Sequence, residues 1–444
     1  MLRRMGVAYC CIVGLAMFGA LSAPADLKTY VEAPDSSYTY EIVNTEARDG
    51  LTVTSIRLHS QTWQGIPWQH WLTVIRPAEI KNGHGALLLV AGGNNGRTNP
   101  PGESEESRIL AQIARGTGSV VAALSQVPNQ PLFEGRHEDA IIALTYDKYL
   151  KGEGEDWPLL LPMVKSAVRA MDTVQAVMKA EHGQEITDFM LTGASKRGWT
   201  TWLSAAVDPR IKAIAPIVID VLNMGDQGVH QLKSYGTYSE EIEDYTRLDI
   251  QSRLSSEKGQ QLLSMVDPFA YRDTLTLPKL IVNGANDPYW CVDSANLYFP
   301  DLSGPKYLCY QANTGHDISL SGVGAITQFY HNMLTGGTMP EVTWDRKADG
   351  SISVAWKGDG GKATLWSARS DNRDFRESPW VAQPLEGAGA VQAPPQDPGA
   401  GYVAYYVEVK FPGALILPYG LTTQMTVLPD TFPHEAALKA AKAR

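Results

Sequence analysis

Cysteine is scarce: there are four in 444 residues, and two of them, Cys10 and Cys11, fall in an N-terminal apolar run. That excludes a small scaffold stapled by disulfides. The remaining pair, Cys291 and Cys309, is compatible with one bridge in an oxidising compartment or with two separately buried thiols. Basic runs are missing as well, and the net charge is −10, which makes nucleic acid a poor partner. There is no His-Glu-x-x-His, and His137-Glu138-Asp139 has no partner cluster, so no metal site is supported. Phosphate loops and dinucleotide fingerprints are absent, and no cofactor is expected. Neither an internal repeat nor a low-complexity tract stands out.

What is present is ordinary globular material, 44% hydrophobic and 19% charged, in a chain long enough for two or three units. Residues 1–22 read as a Sec-type signal peptide. Arg3 and Arg4 form a basic start, Val7 to Leu21 is almost uninterrupted apolar or small, and Ala20-Leu21-Ser22 offers a small-x-small cleavage site. The run is short for a spanning helix and ends in Pro24 and Asp26, so no stable membrane span is expected after cleavage. The expected location is periplasmic or secreted.

Two kinds of strand follow. Residues 38–58 and 68–76 alternate apolar and polar in the manner of antiparallel edge strands. Fully apolar runs then recur: Gly85–Ala91, Val120–Leu124, Phe189–Gly193, Ile214–Ile219, Leu280–Gly284 and Lys306–Tyr310. Such runs suit strands buried on both faces. Helical segments separate them, clearest at Pro162–Ala180, where Met163, Ala167, Ala170, Val174 and Val177 recur at helical spacing. The pattern predicts an α/β fold with a mostly parallel sheet over residues 23–337. A long insertion at about 222–275, with Tyr235, Tyr238, Tyr245 and the acidic patch Glu240–Asp244, reads either as a lid or as a solvated helix pair. Past Gly336-Gly337 the rhythm changes to short strands at 342–344, 352–356, 363–367, 402–409 and 424–428. These predict a C-terminal β-sandwich-like domain over 338–430, followed by a tail at 431–444.

The chemistry centres on Gly193-Ala194-Ser195-Lys196-Arg197-Gly198-Trp199. A buried strand running into Gly-x-Ser and then a helix is the setting of a nucleophile elbow, and small neighbours let the strand and helix backbones approach. Arg197 departs from Gly-x-Ser-x-Gly, with the glycine one step later. The later strands supply partners in the order Ser, acid, His: Asp287 follows the fifth buried strand and His316 the sixth. Asp220 and Asp293 are the rival acids. Together these residues predict an α/β-hydrolase fold whose Ser195, Asp287 and His316 form a catalytic triad. His316 would act as base and Asp287 as its orienting acid. An oxyanion hole is expected from the backbone N–H groups of Lys196 and of Gly93 or Asn94. Lys196 and Arg197 bring positive charge that would either recognise an acidic acyl group or sugar, or pair with surface acids. Trp157, Trp199, Tyr289 and Trp290 flank these loops as pocket residues, whereas Trp202 reads as core.

The chain resembles the PhoPQ-activated pathogenicity-related protein family. The resemblance is carried by Ser60–Trp63, Trp68–Trp71, Gly92-Gly93-Asn94, Glu138-Asp139-Ala140, Ala167–Asp172, Gly193–Trp199, Asn283–Trp290 and Gly315-His316, with Leu365-Trp366 and Asp374-Phe375-Arg376 beyond. It implies a secreted or periplasmic protein with an α/β-hydrolase core and a β-rich C-terminal region, and Ser195, Asp287 and His316 fall on its matching motifs. The expected activity is a serine hydrolase, esterase-like, acting on a small-molecule or polymer ester or amide. Two readings stand beside it: a non-catalytic binding or signalling protein on the same scaffold, and a peptidase or amidase.

Overall fold

The computed structural model describes residues 26–442 apart from 414 and 416. The signal peptide read at 1–22 lies outside the described residues.

Nine strands make the central sheet: β1 (Thr39–Arg48), β2 (Leu51–Trp63), β3 (Ile66–Pro77), β4 (Gly85–Val90), β5 (Val120–Leu124), β6 (Asp188–Ala194), β7 (Ile211–Ile217), β8 (Lys279–Gly284) and β9 (Lys306–Gln311). Their spatial order is β1-β2-β3-β5-β4-β6-β7-β8-β9. The joints from β1 to β5 are antiparallel and those from β5 to β9 are parallel. Burial explains the division. Every residue of β5 and β8 is buried, as a parallel strand with helices on both faces requires. β1 is exposed throughout and serves as the edge. This mostly parallel sheet, with a serine at a strand-to-helix turn, is an α/β-hydrolase fold.

Helix Leu160–His182 covers one face and buries Met163, Ala167, Ala170, Val174 and Val177, the stripe seen in the sequence. Met163, Val174 and Val177 each contribute roughly 1.5–3 kcal/mol when fully buried, and the two alanines less. The fourth buried strand starts and ends earlier than its apolar run: Ile217 is its last residue, and Val218, at φ 44°, turns the chain out of the sheet. The insertion between β7 and β8 carries helices Met224–Tyr235 and Glu257–Val266 with shorter turns between them.

Beyond Glu341 all pairing is antiparallel. Strands 341–346, 352–357 and 390–393 form one sheet, and 381–385, 362–370, 402–411 and 419–422 form a second, with 426–428 also paired to 402–411. The strands at 381–385, 390–393 and 419–422 were not legible in the sequence pattern. Ile352, Val354 and Trp356 of the first sheet share one buried cluster with Leu365 and Val407 of the second. That cluster continues into Leu280 and Val282 of the central sheet and Phe329 of the helix before Gly336, so the C-terminal strands pack directly on the hydrolase core. Glu435–Lys442 is a short helix in the tail. Among the described residues, no helix is long and apolar enough to cross a membrane.

Candidate active site

Ser195 sits between β6 and helix Lys196–Val207 at φ 56° and ψ −127°, a conformation that costs a non-glycine residue of order 1–3 kcal/mol. Its N–H donates to the Ile217 carbonyl at 2.8 Å, which fastens the turn to β7. A Cβ on Gly193 would lie 2.8 Å from the Arg197 carbonyl oxygen, and one on Gly198 2.8 Å from that of Gly193. The glycine one step late in the sequence therefore does the packing, and position 197 is left free for a large side chain.

Asp287 and His316 leave adjacent strands, with Gly284 of β8 in register with Gln311 of β9. A Cβ on Gly284 would collide with the Gly315 carbonyl oxygen, so only glycine lets the two loops close. His316 Nδ1 and Asp287 Oδ2 are 2.8 Å apart, and the other carboxylate oxygen accepts from the Tyr289 N–H at 2.9 Å. Asp287 is buried, and the Tyr289 ring lies on the imidazole with centroids 4.4 Å apart. His316 Nε2 is buried with no hydrogen-bond partner among the described residues, and it borders the same cavity as Ser195. No hydrogen bond joins it to Ser195 Oγ; in unliganded sites such bonds are often long and tighten with substrate.

The rival acids are engaged elsewhere. Asp293 binds His230 at 2.7 Å and Arg373 at 2.9 Å. Asp220 is buried and accepts from Asn283 and Tyr298. Burial, with Asp287 and Asp293 adding to it, lifts its carboxyl from an ordinary 3.8 to about 7.

Val90 pairs in register with Gly193, which sets the Gly93-Asn94 loop at the same sheet end as Ser195, although neither residue lines the cavity. The carbonyls of Gly92, Gly93 and Asn94 are all taken, by the Gln126 N–H, Gln130 and the Gln126 side chain. The Gly93 and Asn94 N–H groups have no acceptor among the described residues, and Lys196 N–H, first in its helix, has none within that helix.

The two cations face inward rather than the surface. Lys196 Nζ lies 2.5 Å from Asp139, which also accepts from Tyr245 and Tyr289. Arg197 reaches Glu138 at 2.6 Å and the Val127 carbonyl at 2.5 Å. Burial pushes the Glu138 carboxyl up, but Arg197 and Gln130 bring it below its ordinary value. Trp199, Tyr289 and Trp290 border the cavity as expected. Trp157 does not: it packs against Trp63 and Phe133, with centroids 6.0 and 5.6 Å away, in an aromatic cluster elsewhere. The insertion supplies Met224, Ile242, Ile250 and Leu254 to the wall, so it is not a merely solvated helix pair. Cys291 and Cys309 are separate buried thiols, each pushed up to about 12 by burial.

One feature of the site has no sequence signature. Asn286 Nδ2 donates to the carbonyls of Phe375, Arg376 and Ser378 at 2.8–3.2 Å. Asn313 binds both backbone groups of Trp380 at 2.8 and 3.0 Å. A strap from the C-terminal region thus holds the acid loop and the histidine loop together.

A family model described as PhoPQ-activated pathogenicity-related protein matches residues 27–376, most of the chain. The chain belongs to that family. A curated relative, autocrine proliferation repressor protein A of Dictyostelium discoideum, is 30% identical over 459 aligned residues, covering 93% of this chain and 92% of that one. Among solved structures, an acetyl xylan esterase from Paenibacillus sp. R4 is 16% identical with a TM-score of 0.47, covering 68% of this chain and 91% of that one. A glucuronoyl esterase from Solibacter usitatus is 14% identical with a TM-score of 0.41, covering 68% and 90%. The family match ends inside the strap.

The strap and the buried Asp220 each bear on stability. Replacing Asn286 or Asn313 with Ala leaves strap groups without partners and is expected to cost about 1–3 kcal/mol of stability. Urea unfolding checks it, and an unchanged midpoint in both variants would mean that the strap does not hold the two loops. The Asp220 proton is held up to about pH 7 when folded but leaves near pH 4 when unfolded, so its stabilising effect is complete below about pH 4 and lost as pH rises through about 7. Asp220→Asn should flatten the fall in urea midpoint between pH 5 and pH 8, and an unaltered slope would count against the buried acid.

Proposed function

We propose that this protein is a periplasmic or secreted serine hydrolase, esterase-like, that works through an acyl-enzyme on Ser195. The observation that carries the reading is His316, with Nδ1 on Asp287 and Nε2 unpartnered at a cavity that Ser195 also borders. With Nδ1 tied to a carboxylate, the neutral imidazole carries its free lone pair on Nε2, the form a general base needs.

In the reaction, Ser195 Oγ attacks the ester carbonyl carbon while His316 Nε2 takes its proton. Asp287 stabilises the resulting imidazolium. The N–H of Lys196 and that of Gly93 or Asn94 bind the oxyanion. Collapse breaks the bond to the alcohol, which leaves with the proton from His316. Water then repeats the sequence on the acyl-serine, releasing the acid and restoring Ser195. The extracytoplasmic location rests on the N-terminal run from Arg3 to Ser22. Recognition of an acidic sugar by Lys196 or Arg197 has no support, since both cations are paired with Asp139 and Glu138.

The second reading, a secreted signalling protein, is favoured by the name of the Dictyostelium relative, an autocrine proliferation repressor. A fluorophosphonate probe separates the two. The enzyme reading expects stoichiometric labelling of the folded protein that vanishes in Ser195→Ala and falls at least a hundredfold in rate in His316→Gln. Absence of labelling in the folded wild type would favour the signalling protein.

A further inference from the structure

Resting on the hydrolase reading above, we infer that the substrate is an ester bearing a compact apolar group of about three or four carbons, seated under the insertion between β7 and β8. The cavity beside Ser195 and His316 has a volume of about 90 Å³. Its apolar wall comes from Ile219 and Val221 just past β7, from Met224, Ile250 and Leu254 of the insertion, and from Trp199.

The polar groups of that wall are largely spent on the protein itself. Gln227 donates to the carbonyls of Leu222 and Ser294, and Gln231 is held by the Tyr289 carbonyl and the Ser239 N–H. Tyr245 hydroxyl and Lys196 ammonium both go to Asp139, so the one cation on the wall meets its counter-ion there. Trp199 Nε1 donates to the Val266 carbonyl. Besides Ser195 and His316, the Trp290 indole N–H and the Gln251 amide have no partner among the described residues. A sugar ring or a charged group entering here would give up its hydration for almost nothing. An alkyl group loses no hydrogen bonds and leaves water.

Size narrows the class. An apolar protein cavity of about 150 Å³ holds benzene, so about 90 Å³ takes roughly three or four carbons. Met224 and Leu254 of the insertion line this space, and a longer chain competes with them for it. The shared chemistry, a short alkyl group next to the reacting carbonyl, is offered by the acyl half or by the alcohol half of an ester.

The test is kcat/KM of the full chain on two series: p-nitrophenyl esters from acetate to octanoate, and acetates of alcohols from methanol to octanol. In one series kcat/KM is expected to rise roughly fourfold per methylene to three or four carbons. It should then drop at least tenfold by eight. The series that shows the optimum identifies the half that enters. Leu254→Ala should move the optimum to longer chains by one or two carbons, with Met224→Ala as the second variant if the first does not fold. Flat profiles in both series, or an optimum at six carbons or more in the wild type, would overturn the inference while phosphonate labelling of Ser195 still held. Loss of labelling together with all ester turnover would overturn the hydrolase reading and this inference with it.

Discussion

The contact between His316 Nδ1 and Asp287 is the interaction on which the rest of the site depends. Without it the imidazole has no fixed tautomer and no fixed plane, and Nε2 has no reason to face the cavity. The contact exists because two neighbouring parallel strands end side by side and because Gly284 has no Cβ to hold their loops apart. Asn286 N–H adds a bond to the Thr314 carbonyl, and the strap at 373–380 closes over both loops. The C-terminal sheets are therefore joined to the site mechanically: the loop between strands 362–370 and 381–385 reaches back to Asn286 and Asn313, in the loops that carry Asp287 and His316.

The same economy governs charge. Consecutive cations at 196 and 197 meet consecutive acids at 138 and 139, one pair facing the cavity and the other fastening the cis-proline loop around Val127. Such pairs cost desolvation and return it only with good geometry, so removing one partner is expected to be far worse than removing both. Their consequence is a cavity whose one lining cation, Lys196, meets its counter-ion Asp139 on the same wall. Most polar groups of the wall are paired within the protein, and the insertion supplies apolar side chains.

Much of this was legible in the sequence, for identifiable reasons. Strands buried on both faces carry continuous apolar runs, and a serine, an acid and a histidine just past such runs are forced to one sheet end. The order of Ser195, Asp287 and His316 therefore pointed to the site even though Arg197 broke the motif. Trp157 misled because flanking the loops in sequence is not flanking them in space; it belongs to the cluster with Trp63 and Phe133. Asn286 and Asn313 were silent because their partners lie 67 to 92 residues away, and a side-chain-to-backbone bond across that distance leaves no periodic trace. The strand at 381–385 is mostly exposed and contains Pro384, which erases the pattern that reveals a core strand. The pairing of Glu138-Asp139 with Lys196-Arg197 was visible only as complementary charge, with nothing in the spacing to join the two dipeptides.

The most direct measurement of the central claim is a crystal structure of the protein after reaction with a fluorophosphonate. The predicted result is phosphorus bonded to Ser195 Oγ, with a phosphoryl oxygen accepting from the N–H of Lys196 and from that of Gly93 or Asn94. His316 should remain on Asp287, with Nε2 turned toward the adduct. Phosphorus on another residue, or an adduct on Ser195 with His316 detached from Asp287 and no backbone N–H on the phosphoryl oxygen, would contradict it.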